Sequence, residues 1–195
     1  MSMVKLIRSG LVLAAFCMIA ALVLAVTYEI TKPKVGEQLK REEESVLRSI
    51  MPSADSFSEK TLDGIEYFEA LKGKAVVGYC VRVAGSGYNG YIRMIAGVDL
   101  NGTIQGVAVL EHNETPGLGA KINEIRPGES EPWFLKQFKG KNVGTIAIKK
   151  NIDAITGATI SSMVVTEAIN KTVSSFMASL SDHKFKLGEE QKMRQ

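Results

Sequence analysis

The sequence predicts an α+β protein in which an N-terminal transmembrane helix precedes one domain, a mainly antiparallel sheet flanked by helices. Three observations carry this prediction. Residues 10–28 are apolar and uncharged, β-branched stretches recur between residues 75 and 112, and an amphipathic stretch spans residues 160–180. A chain of 195 residues has room for one domain of ordinary size and a short appendage.

The apolar run at residues 10–28 is long enough for a membrane helix. At about 1.5 Å per residue it spans roughly 28 Å, which matches a bilayer core. Lys5 and Arg8 precede it, and Tyr28 stands where interfacial aromatic residues are enriched. A cleaved signal peptide is the alternative, because Val23-Leu24-Ala25 offers small residues to a signal peptidase.

The segment at residues 29–52 predicts a stalk helix that Pro52 ends. It is rich in Glu, Lys and Leu, and its apolar residues follow a helical spacing: Val35, Leu39, Val46, Leu47 and Ile50.

Three stretches, residues 75–83, 91–100 and 103–112, have the β-branched composition of strands. Asn101-Gly102 lies between the last two and predicts a hairpin whose turn has positive φ at both positions. Short helices are predicted at residues 120–125 and 132–138, and another strand at residues 143–148.

The stretch at residues 160–180 predicts one long packed helix. Its apolar residues recur mostly at intervals of three and four: Ile160, Met163, Val164, Ile169, Val173, Phe176, Met177 and Leu180. The charged residues that follow offer no apolar face, so we expect a mobile tail. The predicted organisation is thus a cytoplasmic tail (1–9), an anchor (10–28), a stalk (29–52), a folded domain (53–182) and a charged tail (183–195).

Composition excludes several classes of function. The formal charge is only +3, and Lys and Arg alternate with Glu, so no basic stripe is present for nucleic acid. Cys17 lies in the apolar run and is far from Cys80, which argues against a disulfide between them. With His112 and His183 as the only histidines, the chain cannot build a usual iron-sulfur or structural zinc site. We predict no metal, and redox chemistry would need an organic cofactor.

Residues 85–90, Gly-Ser-Gly-Tyr-Asn-Gly, match the G-x-G-x-x-G pattern of dinucleotide sites. That fingerprint must open a helix, whereas this one precedes the strand-like residues 91–100. We interpret it as a glycine-rich connection between strands.

Two polar segments are candidates for a binding site. Glu111, His112 and Glu114 could ligate a metal, but such a cluster is more typical of a polar strand end. The next turn, residues 115–120, contains Gly117 and Gly119, and it fits a plain type II turn and a cofactor loop equally well.

The second segment, residues 153–162, places four hydroxyls and two small residues at the start of the long helix. Helix N-termini present unpaired N–H groups and partial positive charge, which stabilise a phosphate. Simple N-capping by Thr159 or Ser161 is the other interpretation, and both can hold together.

Taken together, these motifs resemble the FMN-binding subunits of ion-pumping membrane redox complexes, namely the G subunit of the Rnf complex and the C subunit of the sodium-pumping quinone reductase. The matching pieces cover nearly the whole chain: the anchor, residues 85–90, the strand pair through Asn101-Gly102, Glu-Thr-Pro-Gly-Leu-Gly-Ala-Lys at 114–121, Trp133 with Phe138, and Asp-x-x-Thr-Gly-Ala-Thr at 153–159. The short chain is more similar to the Rnf G subunit.

The resemblance implies FMN joined through its phosphate to the Thr159 hydroxyl by a flavin transferase that uses FAD and Mg²⁺. Thr156 stands where the family often has Ser, and it keeps the hydroxyl. The predicted cofactor-binding residues lie in two segments: Asp153, Thr156, Gly157, Ala158, Thr159, Ser161 and Ser162, and Glu114, Thr115, Gly117 and Leu118. One-electron transfer needs no general acid or base, so no catalytic residue is predicted.

The resemblance also implies a place in the cell and a set of partners. The chain would be a single-pass protein of the cell (inner) membrane, held in lipid by one helix, with the FMN domain on the outer face. It would join the other membrane subunits of an Rnf-type complex that couples electron flow between ferredoxin and NAD to movement of Na⁺ or H⁺. The alternatives are a non-catalytic envelope scaffold or binding module and a stand-alone FMN-domain reductase or sensor.

Overall fold

The computed structural model describes residues 3–193, and the chain forms two compact units, Met1–Glu44 and Ser45–Gln195. The ends of the predicted cytoplasmic and charged tails, residues 1–2 and 194–195, lie outside the described residues. The elements in chain order are α1 (Met3–Ile50), β1 (Ser56–Leu62), β2 (Ile65–Lys72), β3 (Ala75–Ser86), β4 (Tyr91–Asp99), β5 (Ile104–His112), a 3-10 helix (Gly119–Asn123), α2 (Trp133–Lys136) and α3 (Thr159–Met193).

The predicted N-terminal apolar helix is confirmed, and it is longer than the predicted anchor. Anchor and stalk form one helix of 48 residues, with Pro33 inside it. Among the described residues this is the one helix long and apolar enough to cross a membrane. Val35 and Leu39 of the predicted stalk face are exposed, whereas Leu47 and Ile50 are buried in the second unit.

The antiparallel sheet is confirmed, and it has five strands in the order β1-β2-β3-β4-β5. The three predicted strands correspond to β3, β4 and β5, while the hairpin of β1 and β2 was not predicted. Asp63 and Gly64 connect that hairpin with φ of 49° and 80°. Positive φ at both positions is the requirement of a two-residue type I′ turn, for which Asp-Gly is a preferred sequence.

The hairpin at Asn101-Gly102 is present, but its predicted backbone is wrong. Only Gly102 has positive φ, at 79°. The loop is longer than two residues, and the Asp99 carboxylate accepts the N–H groups of Asn101 and Thr103 at 2.9 Å each. That side chain organises the turn, so Asn101 is not forced into the left-handed region.

The two faces of the sheet pack against different helices, because successive side chains of a strand point to opposite sides. Val81, Val83 and Met94 belong to the core that also contains buried residues of α3. Cys80 and Ile95 belong to a second core with Leu47 and Ile50, which lie at the C-terminal end of α1 within the second unit.

The end of α1 lies close to the sheet because glycines face it. A Cβ on Gly97 would overlap Cγ2 of Ile50, and a Cβ on Gly106 would lie 3.3 Å from the Ile50 backbone. The glycines therefore set the spacing between this helix end and β4 and β5.

The predicted long helix is confirmed as α3, with a modified core stripe. Ile169, Val173 and Phe176 are fully buried as expected, but Ile160 and Met163 are 52% and 42% exposed. Val165 is buried instead. The helix also continues to Met193 through the segment predicted as a mobile tail, whose Lys, Glu, Gln and Met residues favour helix even without an apolar face.

The strand predicted at residues 143–148 is wrong. This segment forms turns and takes part only in isolated bridges, such as Ile148 with Ile152. Gly144 has φ of 85°, which breaks an extended backbone, and the Asn151 side chain bonds Ala147 N–H and Thr145 C=O in place of a strand partner. The short helices predicted at 120–125 and 132–138 are the 3-10 helix and α2.

Candidate functional site

A cavity of about 440 Å³ lies where the β3–β4 connection, the loop after β5 and the start of α3 meet. Its volume is within the range of roughly 300–1,000 Å³ that is typical of small-molecule sites. Its lining is Tyr88, Glu114, Thr115, Leu118, Gly119, Gly157, Ala158, Thr159, Ile160 and Ser161. Residues far apart in the sequence therefore form one site.

The loop after β5 enters the cavity wall through a tight turn. Leu118 N–H donates to the Thr115 carbonyl at 3.1 Å, and Ala120 N–H donates to the same oxygen at 3.2 Å. Gly117 has φ of 77°, as the third residue of a type II turn requires, and Pro116 precedes it. The turn exposes Leu118 at the cavity.

A second turn leads into α3. Ala158 N–H donates to the Ile155 carbonyl at 2.9 Å, and Gly157 between them has φ of 80°. The hydroxyl of Ser162 braces this turn from inside, since it accepts Ile155 N–H and donates to the Ala158 carbonyl, both at 2.9 Å. Thr159 follows as the first residue of α3, exposed at the cavity.

The first turn of α3 leaves backbone donors toward the cavity. Among the described residues, the N–H groups of Thr159, Ile160 and Ser161 have no backbone acceptor, and α3 closes its first such bond from Ser162 to Ala158. No hydroxyl caps these N–H groups within the described chain, so the N-capping interpretation for Thr159 and Ser161 is not realised. These donors carry the partial positive charge of the helix start.

Glu114 ties the three segments of the site together. Its Oε2 accepts the Ser161 hydroxyl at 2.6 Å, and its Oε1 accepts Asn89 N–H at 3.2 Å. The residue is only 5% exposed. A Cβ on Gly87 would overlap Oε1 and one on Gly119 would overlap Oε2, so the carboxylate fits only because both neighbours lack a side chain.

The neighbours of Glu114 form the polar strand end that the sequence predicts. Glu111 is exposed and forms a salt bridge with Arg93, and His112 Nδ1 accepts the N–H of Glu114 at 3.3 Å. The three side chains thus have different partners.

The structure brings seven of the eleven predicted cofactor-binding residues to the cavity: Glu114, Thr115, Leu118, Gly157, Ala158, Thr159 and Ser161. The other four do not line it. Gly117 and Ser162 shape the two turns, and Thr156 is an exposed residue within the second turn. The backbone N–H and C=O of Asp153 both form hydrogen bonds with the side-chain amide of Gln137.

Three lining residues were not predicted. Tyr88 comes from the glycine-rich connection at residues 85–90, which the structure confirms as a link between β3 and β4. Gly119 and Ile160 flank predicted residues. Ile160 carried no distinguishing signal, because its spacing placed it in the predicted core stripe, and only the structure shows that it is exposed at the cavity.

Two protein-family models match this chain. Residues 87–174 match the family model of the FMN-binding domain, a range that includes every lining residue of the cavity. Residues 1–50 match the model of the RnfG N-terminal region.

The chain is also similar to subunits of ion-translocating oxidoreductase complexes. The chain is 31% identical to the G subunit of the proton-translocating ferredoxin:NAD(+) oxidoreductase complex of Clostridium ljungdahlii, over 80% of this chain and 84% of the relative. It is 30% identical to the G subunit of the Na(+)-translocating ferredoxin:NAD(+) oxidoreductase complex of Acetobacterium woodii, over 85% and 89%. The crystal structure of the C subunit of Na(+)-translocating NADH-quinone reductase from Parabacteroides distasonis is 27% identical, with a TM-score of 0.47 over 60% of this chain and 62% of that one.

The chain therefore belongs to the family of G subunits of Rnf-type ion-translocating oxidoreductase complexes. It is a membrane-anchored, FMN-binding component of an oxidoreductase complex, with a single described helix able to span the membrane.

Proposed function

We propose that this chain carries FMN covalently on Thr159 and relays electrons within a membrane complex that oxidises or reduces ferredoxin and NAD. The observation that supports the proposal is the cavity itself. Thr159, the first residue of α3, is exposed there opposite the turn at Thr115–Leu118. A flavin there would be held in a phosphoester with the Thr159 hydroxyl.

The start of α3 fits the phosphate of FMN. A phosphoester on Thr159 would lie beside the N–H groups of Thr159, Ile160 and Ser161, which lack backbone acceptors among the described residues. Such donors and the helix dipole stabilise a negative group. Gly157, with φ of 80°, and Ala158 add no bulk in front of the hydroxyl, which leaves access for a flavin transferase.

Thr159 is the hydroxyl best placed for attachment. Ser161 is 2% exposed and donates to Glu114, and Ser162 is fully buried with both of its hydrogen bonds used inside the second turn. Thr156 is exposed but does not line the cavity. Thr159 alone among the four is both exposed and at the cavity.

The protein's part in electron transfer is to hold and shield the cofactor. When bound, FMN supplies one- and two-electron chemistry, and the protein sets its orientation and surroundings. Leu118 and Ile160 give the cavity an apolar wall, and Tyr88 adds an aromatic side chain at its edge. No proton-transferring side chain is required.

The location and partners complete the proposal. The folded domain faces the outer side of the cell membrane, and the coupled ion is Na⁺ or H⁺, as in the two relatives named above. Other membrane subunits of the complex donate and accept the electrons. Protease added to spheroplasts tests the orientation, since it would digest the domain only if that domain is outside.

Mass spectrometry tests the attachment. The full-length chain is produced with and without a flavin transferase, and the mass of the intact protein is expected to rise by FMN less one water only with the transferase. Thr159→Val should abolish the increase and Thr159→Ser should keep part of it.

The matched control is Thr156→Val, which removes an exposed hydroxyl of the same segment that does not line the cavity. It should retain the adduct. FMN mass on Ser161, or persisting in Thr159→Val, would refute the attachment site. A wild-type chain that never acquires flavin would instead favour the non-catalytic scaffold.

A further inference from the structure

Glu114 is a buried carboxylate in the cavity wall. Its two oxygens accept hydrogen bonds from the Ser161 hydroxyl and from Asn89 N–H. Acceptance at both oxygens is the pattern of an ionised carboxylate, which has no proton to donate. A negative charge therefore faces the site.

Within the described part of the chain, this charge has no cationic partner. Among the residues that the structure describes, Lys and Arg side chains form salt bridges with other carboxylates, and none with Glu114. The side chain of His112, two positions earlier in the chain, uses Nδ1 as an acceptor for the Glu114 N–H. The hydrogen-bond donors that the described residues offer to this carboxylate are the neutral Ser161 hydroxyl and the neutral Asn89 N–H.

An uncompensated buried charge is costly for a fold, because it loses hydration without a paired ion. A glutamine in the same space would offer one acceptor oxygen, so it could accept from Ser161 or from Asn89 but not from both. The charge also faces the cavity that Glu114 lines, where it acts on any ligand bound there.

We propose that the Glu114 carboxylate lowers the reduction potential of the flavin in this cavity. The inference rests on the proposed function, since it concerns FMN attached to Thr159. One electron taken from a donor adds one negative charge to the cavity, and a fixed carboxylate in a poorly hydrated wall disfavours that addition. The hydrogen bonds from Ser161 and Asn89 keep the carboxylate at the wall.

The test is a redox titration of the flavin absorbance in the full-length protein, loaded by coexpression with a flavin transferase. A chemical reductant supplies the electrons, and mediator dyes establish equilibrium. Glu114→Gln and Glu114→Ala remove the charge, and both should shift the midpoint potential to more positive values. Glu114→Asp retains the charge and should stay nearer to the wild-type value than either.

Glu111→Gln is the matched control. It removes a carboxylate only three positions away, but that side chain is exposed and paired with Arg93. Solvent and salt screen such a charge, so the flavin midpoint potential of Glu111→Gln should be that of the wild type.

The outcomes separate this inference from the proposed function. Peptide mass spectrometry first establishes FMN on Thr159 in each variant. Loaded Glu114→Gln with an unchanged or more negative potential would overturn the inference and leave the attachment intact. Folded Glu114→Gln and Glu114→Ala that both fail to load would also overturn it, since Glu114 would then act in attachment. Absence of FMN from the wild type would contradict the proposed function instead.

Discussion

Gly119 gives the sharpest test of how the cavity is built. A Cβ at this position would overlap Oε2 of Glu114 and lie 2.6 Å from the Ser161 hydroxyl oxygen. Neither atom can move away without breaking the hydrogen bond between them, which measures 2.6 Å. Gly119→Ala should therefore separate the loop after β5 from α3.

The magnitude follows from two losses. Overpacking of a tight interior costs about 1–3 kcal/mol, and loss of a hydrogen bond to a charged group costs about 1.5–3 kcal/mol. Partial relaxation of the loop can relieve the overpacking, but only by weakening the hydrogen bond, so we expect a destabilisation of about 2–5 kcal/mol. With a urea slope near 2 kcal/mol per M, the unfolding midpoint would fall by roughly 1–2.5 M.

The assay is urea unfolding of the full-length protein in detergent, followed by the fluorescence of Trp133, the single tryptophan. Gly117→Ala is the control in the same loop. A Cβ there meets nothing within 4 Å, but φ is 77°, so only a backbone cost of about 1–2 kcal/mol applies. If Gly119→Ala were no more destabilising than Gly117→Ala, Glu114 and Ser161 would not form the contact described.

Three further predictions concern the rest of the domain. Ile50→Ala should destabilise the protein by about 2–5 kcal/mol, because Ile50 is buried against the sheet, whereas Val35→Ala at an exposed position of α1 should change the same urea midpoint little. Gly102→Val should cost about 1–2 kcal/mol or more in that assay, because its φ is 79°, whereas Asn101→Val loses no left-handed residue and should be tolerated better. Burial raises the pKa of the Cys80 thiol from its ordinary 9.0 to about 12, so the fold favours the neutral thiol. That contribution to stability is fully present below pH 9 and is lost as pH rises toward 12. In a Cys17→Ser background, the urea midpoint of the protein that retains Cys80 should therefore fall more steeply between pH 8 and 11 than the midpoint of the same protein with Cys80→Ala. Iodoacetamide should label Cys80 at pH 8 only after unfolding.

The sequence was sufficient for the elements whose signals are local. The apolar run at residues 10–28 and the β-branched stretches of β3, β4 and β5 predict the elements observed. The hairpin of β1 and β2 was overlooked although Asp63-Gly64 is a strong turn signal, because its strands mix charged residues with apolar ones. The strand predicted at residues 143–148 had suitable composition, but the left-handed Gly144 and the Asn151 amide determine a different backbone.

The two segments of the site could be predicted from the sequence, but their arrangement around one cavity could not. Thr159 at a helix start and Leu118 in a glycine turn could each be identified from neighbouring residues. The hydrogen bond from Ser161 to Glu114 joins residues 47 apart in the chain, and local spacing contains no information about such a contact. Tyr88 was missed for the same reason, because only the tertiary fold brings the β3–β4 connection to α3.

The sheet explains why this one domain can hold a cofactor rigidly. One face packs α3, whose first residue is Thr159, and the other packs Leu47 and Ile50 at the end of α1. Close-packed interiors deform little, so these two contacts hold the cavity and the end of α1 in one body. Glu114 connects the loop after β5 to the same packed structure, because its carboxylate accepts hydrogen bonds from Ser161 of α3 and from Asn89 of the β3–β4 connection. Electron transfer depends steeply on the position of the cofactor, and the same contacts that bury the core therefore also fix where the proposed flavin stands.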